Sequence, residues 1–348
     1  GRLKRSNSLP TDPYILVGAH YDTWSVGATD NGTGVAAMLE IAETLNWANG
    51  GDDDDDAIGA AKAGKPGGTE AAPGRRYDIV FVGYDAEEVG LLGGYDYLRR
   101  HVVKGHDSIV SFVHLEMIGR AQQGVQEDAL ARFFVYSKGG PLERVTGEAD
   151  MGSIYPNVLG LENVAPLSGG LIPTDVQGMY WSGIDGTIAF GASPFYHTSA
   201  DTPSTVDLPF LATNTAALRQ LVNEVDQEPA ASFGSTDPNR MYPEVHVDRS
   251  NPAFARVDVT VRDFAGQPVP TPWARVQLFV DDFITPQQAG VPAQNAAVQE
   301  VVGDQNGKVT FDIASSLMKA GKASRWVHVR VGKATERFPR GEGVVEIN

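Results

Sequence analysis

Cysteine is missing altogether from the 348 residues, so the chain has neither a disulfide framework nor a thiolate metal site. Any bound metal must be held by histidine and carboxylates. Basic residues are scarce beside acidic ones: 28 Lys and Arg face 44 Asp and Glu, a formal net charge of −16. No cluster of positive charge is dense enough to follow a phosphate backbone, which argues against nucleic acid as a partner. Long apolar runs are absent as well; nothing approaches the roughly 18 residues of a membrane span, and no stretch reads as a signal peptide. The chain opens at Gly1 as a mature or trimmed form would, and the expectation is a secreted or periplasmic protein. What is present is ordinary for a globular protein, 42% hydrophobic and 21% charged residues, at a length that favours two domains.

Three short apolar runs read as buried strands: Tyr14–Ala19 ending at His20, Tyr77–Gly83, and Ile109–Leu115. Between the first two, Val35, Met38, Leu39, Ala42 and Leu45 keep helical spacing, and a second helix is expected from Leu91 to Val103. A fourth strand, Gly186–Gly191, precedes a closing helix between Leu208 and Val225. Strands alternating with helices imply a mostly parallel sheet between helical layers, an α/β/α domain over residues 1–238. Residues 49–76, rich in Gly, Ala, Asp and Pro, read as a flexible acidic insertion. Its run Asp52–Asp56 lacks the spaced ligands and glycine turn of a calcium loop and reads as solvated. After Pro243 the period changes to two: Ala255, Val257, Val259 and Val261 alternate with Arg256, Asp258, Thr260 and Arg262. The alternation returns at Ala274–Leu278 and Trp326–Val331, which predicts a small antiparallel β-sandwich over 243–348.

Chemistry-bearing residues gather just past the predicted strands, where open parallel sheets collect their ligands. His20-Tyr-Asp22 closes the first strand, and Asp30 stands at the mouth of the following helix in Gly27-Ala-Thr-Asp30-Asn-Gly-Thr-Gly34. Positions i and i+2 of an extended strand share a face, so Asp22 can reach the His20 imidazole and leave its other nitrogen for metal. Alone, Asp30 is a plain helix cap. Asp85-Ala-Glu-Glu88 follows the second strand, and adjacent carboxylates there suit one metal ligand and one general base. Glu116 ends the third strand, and His197 lies in Phe195–Pro203 after the fourth. Each residue alone has a bland reading as a cap, a solvated loop glutamate or a core histidine; their convergence on one sheet edge does not.

In this combination the chain resembles the M28 family of zinc peptidases, which includes bacterial aminopeptidases and glutamate carboxypeptidase-like enzymes. The resemblance rests on His20-Tyr-Asp22, Asp30-Asn-Gly-Thr-Gly34, Glu87-Glu88, Glu116-Met-Ile-Gly119 and Tyr196-His-Thr198, and covers residues 14 to 225. It implies two zinc ions per chain: Asp30 shared between them, His20 and Glu116 on one, Glu88 and His197 on the other, with Glu87 as the general base. It also implies a cis peptide bond between Asp30 and Asn31. Tyr196 and Tyr180 are candidate donors to the oxyanion, Asp201 a candidate partner that orients His197, and Asp175 a further carboxylate near the substrate. His101, His106, His114, His246 and His328 have no carboxylate constellation in the sequence and read as structural.

The expected activity is therefore metallo-exopeptidase action on peptide substrates, first as an aminopeptidase. Glutamate at 116, where aminopeptidases of the family usually carry aspartate, keeps a carboxypeptidase-type specificity open. A second departure is that family members generally bring a strand and a helix before the first histidine, which here stands at position 20. A glutaminyl-cyclase-like acyltransferase would use one zinc and need fewer ligands than are present. A non-catalytic binding ectodomain would not be expected to keep all five ligand positions and the base. The C-terminal sandwich could instead bind a glycan or a cell surface and deliver the peptidase.

Overall fold

The protein is described here from a computed structural model, which describes residues 1–5, 8–48, 74–88, 90–120, 132–136, 157–160, 174–191, 193–233, 240–280, 295–314, 325–333 and 341–346. The run Asp52–Asp56 and most of the expected insertion lie outside these residues.

The first sheet contains β1 (Arg2–Leu3), β2 (Tyr14–His20), β3 (Asp78–Tyr84), β4 (Ile109–Glu116), β5 (Arg132–Tyr136), β6 (Asn157–Gly160) and β7 (Gly186–Phe190). Their order is β1-β3-β2-β4-β7-β5-β6, and β3, β2, β4 and β7 run parallel as neighbours. The central strands are apolar on both faces because both are covered by helix. On one face, Ile15, Val17, Val113 and Leu115 pack under α1 (Thr33–Ala48) and α4 (Leu208–Gln227). On the other, Leu16, Tyr84, Phe112 and Ile188 pack under α2 (Leu92–Tyr97), its helical continuation Leu98–Lys104, and α3 (Gln177–Trp181).

One expected core position is wrong. Leu39 is 61% exposed, while Met38, Ile41 and Leu45 carry the buried stripe. Residues 38, 41 and 45 follow the i, i+3, i+7 spacing of one helical face, and residue 39 lies about 100° around the helix from 38.

The antiparallel strands begin with β8 (Met241–Asp248). β9 (Phe254–Asp263) pairs between β8 and β12 (Lys308–Ala314), while β10 (Pro272–Val280), β11 (Asn295–Val302), β13 (Arg325–Lys333) and β14 (Gly341–Glu346) form a second sheet ordered β11-β10-β13-β14. The alternation places Val257, Val259 and Val261 of one sheet against Ala274, Val276, Val327, Val329 and Val331 of the other in a single apolar core. The seam between this core and the parallel sheet is apolar where Phe264 packs against the layer of Leu16, Tyr84 and Phe112, and polar elsewhere. β14 touches α2 and α3 through a buried polar group, Tyr95, Gln177 and Glu342.

Candidate metal and active site

Four neighbouring strands aim their carboxyl ends at one place. β2 ends on His20 and β4 on Glu116, the Glu87–Glu88 loop leaves β3, and His197 follows β7. His20 Nε2 lies 3.1 Å from Glu116 Oε1 and 3.3 Å from Asp30 Oδ1. The other oxygen of Asp30 lies 3.3 Å from His197 Nε2, which in turn is 2.7 Å from Glu88 Oε2. Asp30 thus belongs to two triads, His20–Asp30–Glu116 and Asp30–Glu88–His197, and within each the donor atoms lie within 4.8 Å of one another. His20, Glu87 and Glu88 satisfy the same limit, which puts Glu87 beside the cluster.

The cluster is short of positive charge. Asp30, Glu88 and Glu116 are buried, and Asp30 Oδ2 and Glu88 Oε1 make no hydrogen bond among the described residues. Buried carboxylate oxygens left this way are costly unless a cation fills the gap. Oxygen and imidazole donors without sulfur suit zinc, and the side chains present fit it. Burial works against charge on His20, yet Glu116, Asp22 and Asp30 hold its pKa above the ordinary imidazole range. Burial likewise opposes charge on His197, which Asp30 and Glu88 nevertheless push up to about 9. Burial raises Glu88 to about 7, with Asp30 reinforcing it and His197 and His20 opposing it. Glu87 is raised well above the carboxylate range by burial, against the pull of His20 and with Glu116, Asp175 and Glu88 adding to it.

The backbone around these groups is held by side chains. The carboxylate of Asp22 accepts the N–H groups of Glu87 and Glu88 at 3.1 and 3.2 Å. Its carboxylate is 3.5 Å from His20 Nδ1, whereas its own carbonyl oxygen is nearer, at 3.0 Å. Asp22 therefore fixes the loop of Glu87 and Glu88 as well as the imidazole, a double task the strand spacing did not reveal. Asp201 accepts the N–H groups of Thr29 and Asp30 at 3.0 Å each, so it braces the loop that carries Asp30. Asn31, not singled out by sequence reasoning, donates to Leu115 O at 2.8 Å and accepts from Gly34 and Met117 N–H. It stitches the start of α1 to the end of β4, hence Asp30 to Glu116. The Asp30–Asn31 peptide bond is cis. Ala86, Met117 and His197 adopt left-handed φ of 57°, 52° and 57°. Each such non-glycine residue costs about 1–2 kcal/mol; Ala86 and Met117 flank the cluster and His197 belongs to it.

Tyr196 stacks on His197 with ring centroids 3.6 Å apart, and burial beside Asp30, Glu87 and Glu88 keeps its hydroxyl protonated. Tyr180 does not join it; it packs against the layer of Tyr14, Leu16 and Tyr84 and feels Asp185 rather than the cluster. Asp175 is buried under α2, and burial raises its carboxyl, with His20 opposing and Glu116 and Asp22 reinforcing. Trp24 presents its ring to His197 at 6.0 Å, another contact the sequence did not announce. Three histidines read as lacking carboxylates have them: His114 Nε2 is 3.3 Å from Glu116 Oε2, His328 Nδ1 is 3.2 Å from Glu342 Oε1, and His101 Nδ1 is 3.4 Å from Asp107 Oδ2. The first follows from the i, i+2 rule of β4; the second joins neighbouring strands β13 and β14, which sequence distance concealed.

At the carboxyl edge of the parallel strands, two histidine–carboxylate triads with Asp30 in common could hold a metal. The chain belongs to peptidase family M28, whose model matches residues 1–222. It is similar to a probable glutamate carboxypeptidase of Zea mays, 28% identical over 114 residues, which are 33% of this chain and 13% of that protein. It is also similar to an aminopeptidase of Rattus norvegicus, 24% identical over 173 residues, 48% of this chain and 20% of that one. The matched stretches are thus a fifth or less of these relatives' own length. A zinc aminopeptidase from Bacillus subtilis, of solved structure, aligns at a TM-score of 0.46 and 20% identity over 66% of this chain and 51% of that one.

Proposed function

We propose that the protein is a two-zinc exopeptidase, with Asp30 shared between the metals, His20 and Glu116 completing one site, and Glu88 and His197 the other. The observation that carries this reading is the division of the Asp30 carboxylate, one oxygen toward His20 and the other toward His197. Zinc in such a site supplies Lewis acidity, polarising a carbonyl and making water acidic enough to lose a proton near neutral pH. Glu87 takes that proton and passes it to the leaving amine nitrogen. Its raised pKa suits a base that must also act as an acid. Tyr196, protonated and stacked beside His197, donates to the developing oxyanion.

The amino end of a peptide is the first substrate assignment, because a free amino nitrogen can coordinate zinc and the chain's net charge of −16 attracts a cationic end. Glu116 in place of aspartate, together with the glutamate carboxypeptidase-like relatives, favours the carboxyl end as the second reading. The test is metal analysis of the purified protein, with cleavage of amino-terminal and carboxyl-terminal reporter peptides by wild type and Glu87→Gln. Near two zinc per chain in both proteins, with cleavage only by wild type, supports the reading and names the end that is trimmed. One zinc with cyclase activity, or neither metal nor cleavage, rejects it.

A further inference from the structure

The loop that carries Glu87 and Glu88 runs directly into the first turn of α2 and is hydrogen-bonded to it. Gly90 and Leu91 donate their N–H groups to Glu87 O at 3.0 and 2.9 Å, Leu92 to Ala86 O and Gly93 to Asp85 O at 3.0 Å. Whatever fixes α2 therefore fixes Glu87. On one side, α2 lies against Asp175 so closely that a Cβ at Gly94 would stand 1.9 Å from the Asp175 carbonyl oxygen. On the other, its Tyr95 meets the antiparallel part of the chain. Gln177 of α3 donates to Tyr95 Oη at 3.0 Å and to both oxygens of Glu342 on β14, at 3.2 and 3.1 Å. Glu342 is also held by Arg330 Nε at 3.3 Å and His328 Nδ1 at 3.2 Å, and the His328 ring stands edge-on to Tyr95 at 5.9 Å. Gln177 and Glu342 are 1% and 2% exposed. A carboxylate is seldom buried at such a seam unless its partners are fixed, and here they come from both sides of it.

We infer that Glu342 is a positioning residue for the proposed hydrolysis: through Tyr95 and Gln177 it clamps α2 and α3, and so sets the Glu87 loop at the metal cluster. The antiparallel sheets are then a working wall of the active centre, not a detachable delivery module. The inference rests on the two-zinc reading for its catalytic consequence, although the clamp itself can be tested without it.

The experiment compares wild type, Glu342→Gln and Tyr95→Phe as full chains at saturating zinc, by amide hydrogen exchange and by steady-state kinetics on the reporter peptide that wild type cleaves. Glu342→Gln keeps the shape and removes the charge; Tyr95→Phe keeps the ring and removes only the hydroxyl. Faster exchange confined to residues 85–98 is expected in both. A kcat lower by about tenfold or more is expected in Glu342→Gln, with KM changed by less than about twofold, because a displaced base weakens the transition state rather than substrate binding. Tyr95→Phe should change in the same direction and less. Unchanged exchange over 85–98 with unchanged kcat overturns the inference, and so does an exchange increase spread evenly over the chain, which marks a general loss of stability. If Glu342→Gln does not fold, Tyr95→Phe decides alone. Wild type that cleaves no peptide rejects the two-zinc reading and the catalytic role of Glu342 with it, while the exchange result still decides whether Glu342 holds the loop.

Discussion

At the sheet edge Asp30, Glu87, Glu88 and Glu116 crowd against two imidazoles, His20 and His197. At the seam a single carboxylate, Glu342, is faced by Arg330, His328 and the neutral donors Gln177 and Tyr95. Both clusters are buried and both mix histidine with carboxylate, so residue type alone does not separate them. Charge balance does. The seam supplies its own cation and leaves both oxygens of Glu342 occupied, whereas Asp30 and Glu88 each keep a buried oxygen without a hydrogen bond. A buried carboxylate met by its own cation is structural; an excess of buried carboxylate asks for cations from outside.

The sharpest way to break this comparison is to remove the shared carboxylate. Asp30→Ala should lose both metals together, take peptide cleavage to background, and abolish the thermal stabilisation that zinc confers. That stabilisation is about 2.7 kcal/mol at zinc a hundredfold above its Kd. Metal analysis beside melting curves with and without a chelator checks it; retention of one full equivalent of zinc would show that Asp30 is not shared. Glu87→Gln should leave zinc content unchanged and lower kcat by about 10²–10⁴-fold, the usual worth of a general base. If the variant loses zinc as well, Glu87 is a ligand and not the base.

The seam should respond in the opposite manner to apolar replacement. Glu342→Ala leaves Arg330 buried without its carboxylate and should destabilise the chain by about 3–5 kcal/mol. The double change Glu342→Leu with Arg330→Met should recover much of that stability, because a balanced buried pair contributes little over well-packed apolar groups. Its kcat should stay low, since neither new side chain can hold Gln177. Denaturant melts of the single and double variants separate the two effects.

The sheet edge was legible because a parallel α/β sheet brings the ends of its strands to one side whatever lies between them. His20 and Glu116 close apolar strands, Glu87 and Glu88 follow one directly, and each announces itself in the linear order. Asn31 and Asp201 were harder. Their work is done through backbone N–H and carbonyl groups of residues 84 and 171–172 positions away, which no periodicity encodes. Leu39 failed for a local reason, since an apolar residue beside the stripe satisfies a loose helical pattern without facing the core. The seam could not be read at all. Gln177 and Glu342 stand 165 residues apart in different fold types, and a buried glutamate on a strand resembles any exposed one until its partners are placed.

The smallest effect, and the one that probes the balance of the seam most directly, is its response to acid. Burial holds the His328 pKa below 6.5, with Glu342 opposing and Arg330 reinforcing. Between that folded value and 6.5 the unfolded chain binds the proton that the native one refuses. Stability from His328 is therefore fully present above about pH 6.5 and is lost as pH falls toward the folded value. Glu342 adds a second step. Burial works against its charge, but Arg330 and His328 hold its carboxyl below 4.5, so its contribution is present above about that pH and declines beneath it. The slope for one proton cannot exceed about 1.4 kcal/mol per pH unit. His328→Gln removes the first step and leaves the second resting on Arg330. Because the metal-site histidines titrate alike in both proteins, the difference between their chelator-treated melting curves isolates His328. Wild type should lose stability relative to the variant as pH falls from 6.5 to 5; parallel curves across that interval would show that His328 takes up no proton on unfolding.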